Sequence, residues 1–83
     1  MTFSYKPSGV CSKKIDITLE NGIIKRVAFT GGCNGNLQGI SKLVTGMTAQ
    51  AAIDKLSGIR CGFKSTSCPD QLSKALLQAL AKG

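Results

Sequence analysis

The chain has 83 residues, eleven Lys+Arg against four Asp+Glu for a formal charge of +7, and no histidine. That length predicts one domain, 1–83, burying only roughly 60–65% of its unfolded surface, so its stability is marginal unless a metal, a disulfide or a partner adds to it. The missing histidine excludes Ser–His–Asp triads and imidazole-bound hydrolytic zinc, and no apolar run approaches membrane-spanning length.

The positive excess favours anionic partners: nucleotide, nucleic acid or an acidic protein surface. It would also offset the negative charge of a metal held by four thiolates, although a basic surface also serves solubility alone. Cys11, Cys33, Cys61 and Cys68 are more than so short a chain needs for packing. They permit three disulfide pairings, but no charged-then-apolar leader precedes Cys11. The expected setting is therefore cytoplasmic and reducing, where cysteine clusters serve metal or redox chemistry.

In chain order, Phe3 and Tyr5 alternate with Thr2, Ser4 and Lys6, the pattern of a short half-buried strand, and Pro7-Ser8-Gly9 turns the chain toward Cys11. Ile15, Ile17 and Leu19 alternate with Asp16, Thr18 and Glu20; beyond Asn21-Gly22, the residues Ile23, Lys25, Val27 and Phe29 share a face. This is a hairpin. A two-residue Asn-Gly turn would set Ile17 against Arg26 on the core face, so the expected connection is the three-residue Glu20-Asn21-Gly22 loop, pairing Leu19 with Ile23 and Ile15 with Val27. Lys25 is then the one polar residue on that face, reaching solvent by its stem.

Thr30-Gly31-Gly32-Cys33-Asn34-Gly35-Asn36 follows as a flexible loop. It lacks the Lys-Ser/Thr ending of a Walker loop and the spacing of a dinucleotide fingerprint; it reads either as a backbone cradle presenting a thiolate or as an ordinary tight connection. Asn36 is placed to cap a helix with Leu37, Ile40, Leu43 and Val44 inward, ending at Gly46. Thr48 caps the next, with Ala52, Ile53 and Leu56 inward before Gly58. The two helices are spaced like a helix-turn-helix, but the second offers only Gln50, Asp54 and Lys55 as long polar side chains, so packing of a helical hairpin is the expected role. The last helix runs from about Pro69 to Lys82, with Leu72, Leu76, Ala79 and Leu80 on the stripe across the sheet and Gln71, Lys74 and Gln78 opposite.

Ser67-Cys68-Pro69-Asp70 reads as that helix's start: Ser67 caps, proline fits the first turn, and Asp70 complements the dipole. A cysteine there meets free N–H groups and positive charge, reinforced by Arg60 and Lys64, which favours a ligand or nucleophile. Cys61 and Cys68 also fit as small apolar fillers under the helix. The four cysteines contain no CxxC pair, but the strand and loop positions could carry all of them to one end of the sheet. Four thiolates suit zinc or an iron–sulfur cluster. Alternatively, Cys61 and Cys68 cycle between dithiol and disulfide, which requires an accessible reactive thiol.

Thr66-Ser67-Cys68-Pro69-Asp70 spells the motif of the TSCPD domain, and the likeness extends to Tyr5-Lys6-Pro7-Ser8-Gly9-Val10-Cys11, to Thr30-Gly31-Gly32-Cys33-Asn34-Gly35-Asn36 and to Cys61-Gly62. The chain resembles that family's small stand-alone, four-cysteine bacterial branch, whose relatives end many cobalamin-dependent ribonucleotide reductases. The resemblance implies that Cys11, Cys33, Cys61 and Cys68 are the metal or functional set, and that a reductase is a candidate partner. It does not carry over reductase catalysis, which needs a barrel and a radical-bearing thiol beyond 83 residues. The expected fold is α+β: a small antiparallel β-sheet packed by three short helices. The expected function is a zinc- or iron–sulfur-binding accessory domain, with a thiol-redox element supporting ribonucleotide reduction as the competitor. A basic nucleic-acid-binding module ranks below both, since four aromatic residues provide little stacking surface.

Overall fold

The computed structural model describes residues 1–10, 12–32, 34–59 and 66–82. Among them the chain forms strands β1 (Thr2–Tyr5), β2 (Ser12–Glu20) and β3 (Ile23–Gly31), then helices α1 (Asn34–Val44), α2 (Ala49–Leu56) and α3 (Cys68–Lys82). The sheet is antiparallel in the order β1-β2-β3. This is the expected α+β architecture. Ile15, Ile17 and Leu19 of the central strand are buried against Leu72, Ala75, Leu76 and Ala79 of α3 and Ala49, Ala52 and Ile53 of α2. Burying each large aliphatic side chain contributes about 1.5–3 kcal/mol.

The hairpin register differs from the expected one. Glu20 pairs with Ile23 and Leu19 with Ile24 across a two-residue turn, in which Asn21 (φ 53°) and Gly22 (φ 77°) are both left-handed. The conflict that argued against this turn is removed by a register shift: Thr18 pairs with Arg26, leaving Lys25 as the extra residue of a bulge. Ile17 therefore meets Val27 instead of Arg26, and Ile24 is fully buried while Lys25 is exposed and Ile23 only half-buried. One inserted residue reverses the side-chain alternation, so the two halves of β3 both keep their apolar side chains inward. A second shift, between Ser12 and Lys14, lies next to the candidate site.

Helix α1 begins two residues before Asn36, which lies inside it, and packs against β3 through Leu37 and Val44; Leu43 is 78% exposed. Leu43 falls outside the buried stripe because α1 meets the sheet along one narrow face. Helix α2 packs on α3, so the two central helices take different partners. Its cap is as expected, with Thr48 Oγ1 accepting from the Ala51 N–H at 3.2 Å. The α1–α2 connection docks on the start of β3: Gly46 N–H donates to the Ile24 carbonyl (2.8 Å), Ile24 N–H to Met47 (2.9 Å) and Ala49 N–H to Gly22 (2.8 Å). Helix α3 lies across β2 and β1, but Leu80 faces out and Gln71 faces in. No helix among the described residues is long and apolar enough to cross a membrane.

Candidate functional site

The start of α3 is built from its own sequence. Ser67 accepts the Asp70 N–H on its hydroxyl (3.1 Å) and the Gln71 N–H on its carbonyl (2.8 Å), so it is the N-cap and Cys68 the first helical residue. The Ser67 hydroxyl also donates to the Ile59 carbonyl. Asp70 does more than complement the dipole. Its carboxylate accepts the Gly58 N–H at 2.7 Å and the Thr66 hydroxyl at 2.5 Å, with Lys74 at 3.8 Å, while the residue is only 6% exposed. The hydroxyl of Thr66, then the Gly58 N–H and the Lys74 charge, hold its carboxyl below the usual carboxylate range against the opposing effect of burial. Thus both residues flanking segment 60–65, Ile59 and Thr66, are clasped to the first turn of α3.

A second set of bonds brings the turn before Cys11 to the same place. Gln71 Oε1 accepts the Ser8 N–H (3.1 Å) and the Tyr5 hydroxyl (3.4 Å), while its Nε2 donates to Thr66 Oγ1 (3.0 Å). Gly9 (φ 73°) lies so close to Thr66 that a Cβ on it would stand 3.2 Å from the threonine methyl. Past Cys11, Ser12 is 3% exposed and its Oγ lies 3.4 Å from Cys68 Sγ, a contact in which either group can donate. Gly32, the neighbour of Cys33, fits against Ser12: a Cβ there would sit 3.2 Å from the Ser12 nitrogen and 2.9 Å from Leu37.

Of the four sequence-derived site residues, Cys68 is described, half-buried and free of any disulfide. Cys11, Cys33 and Cys61 lie outside the described residues, as do Arg60 and Lys64. Among the described residues no three Cys, Asp or Glu side chains gather into a metal-holding group. What the described chain does bring together is the residue after Cys11, the residue before Cys33, and Cys68 itself, with both flanks of the Cys61 segment tied one turn away. Sequence reading missed two participants. Gln71, 2% exposed, was expected on the outer face; its signal is the spacing of four to Ala75 and eight to Ala79, which places it on the buried side. Ser12 carried no signal beyond adjoining Cys11.

The cap fixes Cys68 at a helix start, where free N–H groups and the positive end of the helix dipole lie, with three connections tied around it. Neither the curated proteins nor the solved structures provide a match. The model of the TSCPD domain matches residues 2–80, nearly the whole length, and includes the Thr66–Asp70 motif whose hydrogen bonds organise this site. The chain belongs to the TSCPD domain family.

Proposed function

We propose that the chain is a cysteine-ligated metal-binding accessory domain, with Cys11, Cys33, Cys61 and Cys68 as ligands to zinc or an iron–sulfur cluster. The observation carrying this is the convergence of the chain around Cys68: Ser12 touches its sulfur and Gly32 packs on Ser12. The donor set fits such a group. Thiolates are the soft ligands that zinc and iron–sulfur clusters take, and the Ser12 hydroxyl is placed to donate to the Cys68 thiolate, the outer-shell support that ligating groups need. When bound, the metal would link three separate connections of a small domain and stabilise it by on the order of 10 kcal/mol. The roles of Asp70 in the motif and of Gln71 just after it are positional: Asp70 ties Gly58 to Thr66, and Gln71 ties Ser8 to Thr66.

The free, half-buried Cys68 favours one second reading, a thiol-redox element supporting ribonucleotide reduction. In either role the basic surface would face an acidic partner, of which a ribonucleotide reductase is one candidate; nucleotide or nucleic acid is the other class. Metal analysis of anaerobically purified protein, paired with thiol titration before and after chelation, separates the two. The metal reading expects stoichiometric metal and thiols that react only after chelation. Fully folded protein with four reactive thiols and no metal would end it.

A further inference from the structure

Beside β3, on the side away from β2, a cleft of about 520 Å³ opens between the strand and α1. Independently of the cysteines, the geometry points to this cleft as a docking groove for an extended acidic peptide that adds to β3 as a further strand. Three observations carry it. The edge of β3 is already used in this way at its start, where Gly46 and Met47 exchange backbone hydrogen bonds with Ile24 and Thr48 bridges Ile23 antiparallel. Beyond Ile24 no described strand continues the pairing. In an antiparallel ladder alternate residues direct both N–H and C=O away from the partner; with the bulge at Lys25, the register gives that outward direction to Val27 and Phe29, and both line the cleft.

The charge decides the occupant. Arg26 and Lys42 flank the groove, and among the described residues no acidic side chain lines it and neither cation has an ion pair. The strand edge supplies hydrogen bonds to any extended chain, and the two cations select one carrying carboxylates, the usual division between affinity and specificity in strand addition. Leu37 and Phe29 on the cleft wall would receive the apolar side chains that alternate with the acidic ones.

The test uses the isotope-labelled full chain and two end-capped peptides of strand length, one alternating Val and Glu, the other Val and Lys. The acidic peptide should bind at least tenfold more tightly, with amide shifts and slowed exchange centred on Val27 and Phe29. Arg26→Glu with Lys42→Glu should lose at least tenfold for the acidic peptide and gain affinity for the basic one, with the circular dichroism spectrum unchanged. Lys55→Glu with Lys82→Glu, the same charge change outside the cleft, should alter binding by less than threefold. Equal binding of the two peptides, shifts elsewhere, an equal loss in the second charge-reversal pair, or displacement of the acidic peptide by a mononucleotide or a single-stranded oligonucleotide at lower concentration would overturn the proposal.

Discussion

Replacing Asp70 by Asn tests whether the first turn of α3 is the clasp that organises the site. The carboxylate accepts from Gly58 N–H and Thr66 hydroxyl in a position nearly closed to water. Hydrogen bonds to a charged group contribute about 1.5–3 kcal/mol each, and a buried donor left without a partner costs a similar amount. The amide keeps the shape and one acceptor for the Gly58 N–H but turns an N–H₂ toward the Thr66 hydroxyl, which must reverse from donor to acceptor, so both bonds lose their charge and the Thr66 proton loses its buried acceptor. The expected cost is about 2–4 kcal/mol, or roughly 10–25 °C in melting temperature for a chain of this size. Lys74→Ala, which removes only a half-exposed cation 3.8 Å away, should cost about 0.5 kcal/mol or less. Because the folded carboxyl is held below its unfolded value, its contribution is complete above about pH 4 and lost as pH falls through the lowered folded value. The gap between wild type and Asp70→Asn should accordingly narrow below pH 4. Urea denaturation across pH, with amide exchange at Gly58, provides the readout. An Asn variant within about 0.5 kcal/mol of wild type, or a Lys74→Ala variant equally destabilised, would refute the clasp.

The glycines give an opposed pair. Gly32→Ala places a Cβ 2.9 Å from Leu37 and 3.2 Å from the Ser12 backbone at φ 84°, so calorimetry should show a loss of about 2–4 kcal/mol; Gly39→Ala, with nothing within 4 Å on a helix, should gain about 0.5–1 kcal/mol. The hairpin register is tested by Ile24→Ala, expected to cost about 2–4 kcal/mol as a fully buried residue, against roughly 1 kcal/mol or less for the half-buried Ile23→Ala. Leu43→Ala should leave urea denaturation within about 0.5 kcal/mol. Gln71→Leu should cost about 1–3 kcal/mol and free the turn at Ser8, seen as faster exchange of its amide, since it leaves Ser8 N–H without its acceptor.

The sheet was legible because its apolar residues alternate: Ile15, Ile17 and Leu19 were placed inward, and they are buried. The failure in β3 has a definite cause. Alternation read straight through Ile23, Lys25 and Val27 assumes an unbroken ladder, whereas the Asn-Gly turn prefers its two-residue form and the strand absorbs the mismatch in one bulged residue. Helix starts were legible from Thr48 and Ser67, whose caps are local. The bonds of Gln71 to Ser8 and of Asp70 to Gly58 were not, because those partners come from other connections, and a hydrogen bond across the fold leaves no local spacing to read. The place of Cys68 at the start of α3 was legible from its cap; the contact of Ser12 with its sulfur, and of Gly32 with Ser12, required the folded chain.

The central claim is that thiolates from separate connections share one cation at the start of α3. X-ray absorption at the metal edge of anaerobically purified protein counts those neighbours directly. Four-cysteine ligation predicts a shell of about four sulfur atoms at roughly 2.3 Å around each metal ion, reduced in Cys68→Ser by one for zinc and by a fraction of one, averaged over the irons, for a cluster. A shell dominated by oxygen or nitrogen, or one that Cys68→Ser leaves unchanged, would contradict it.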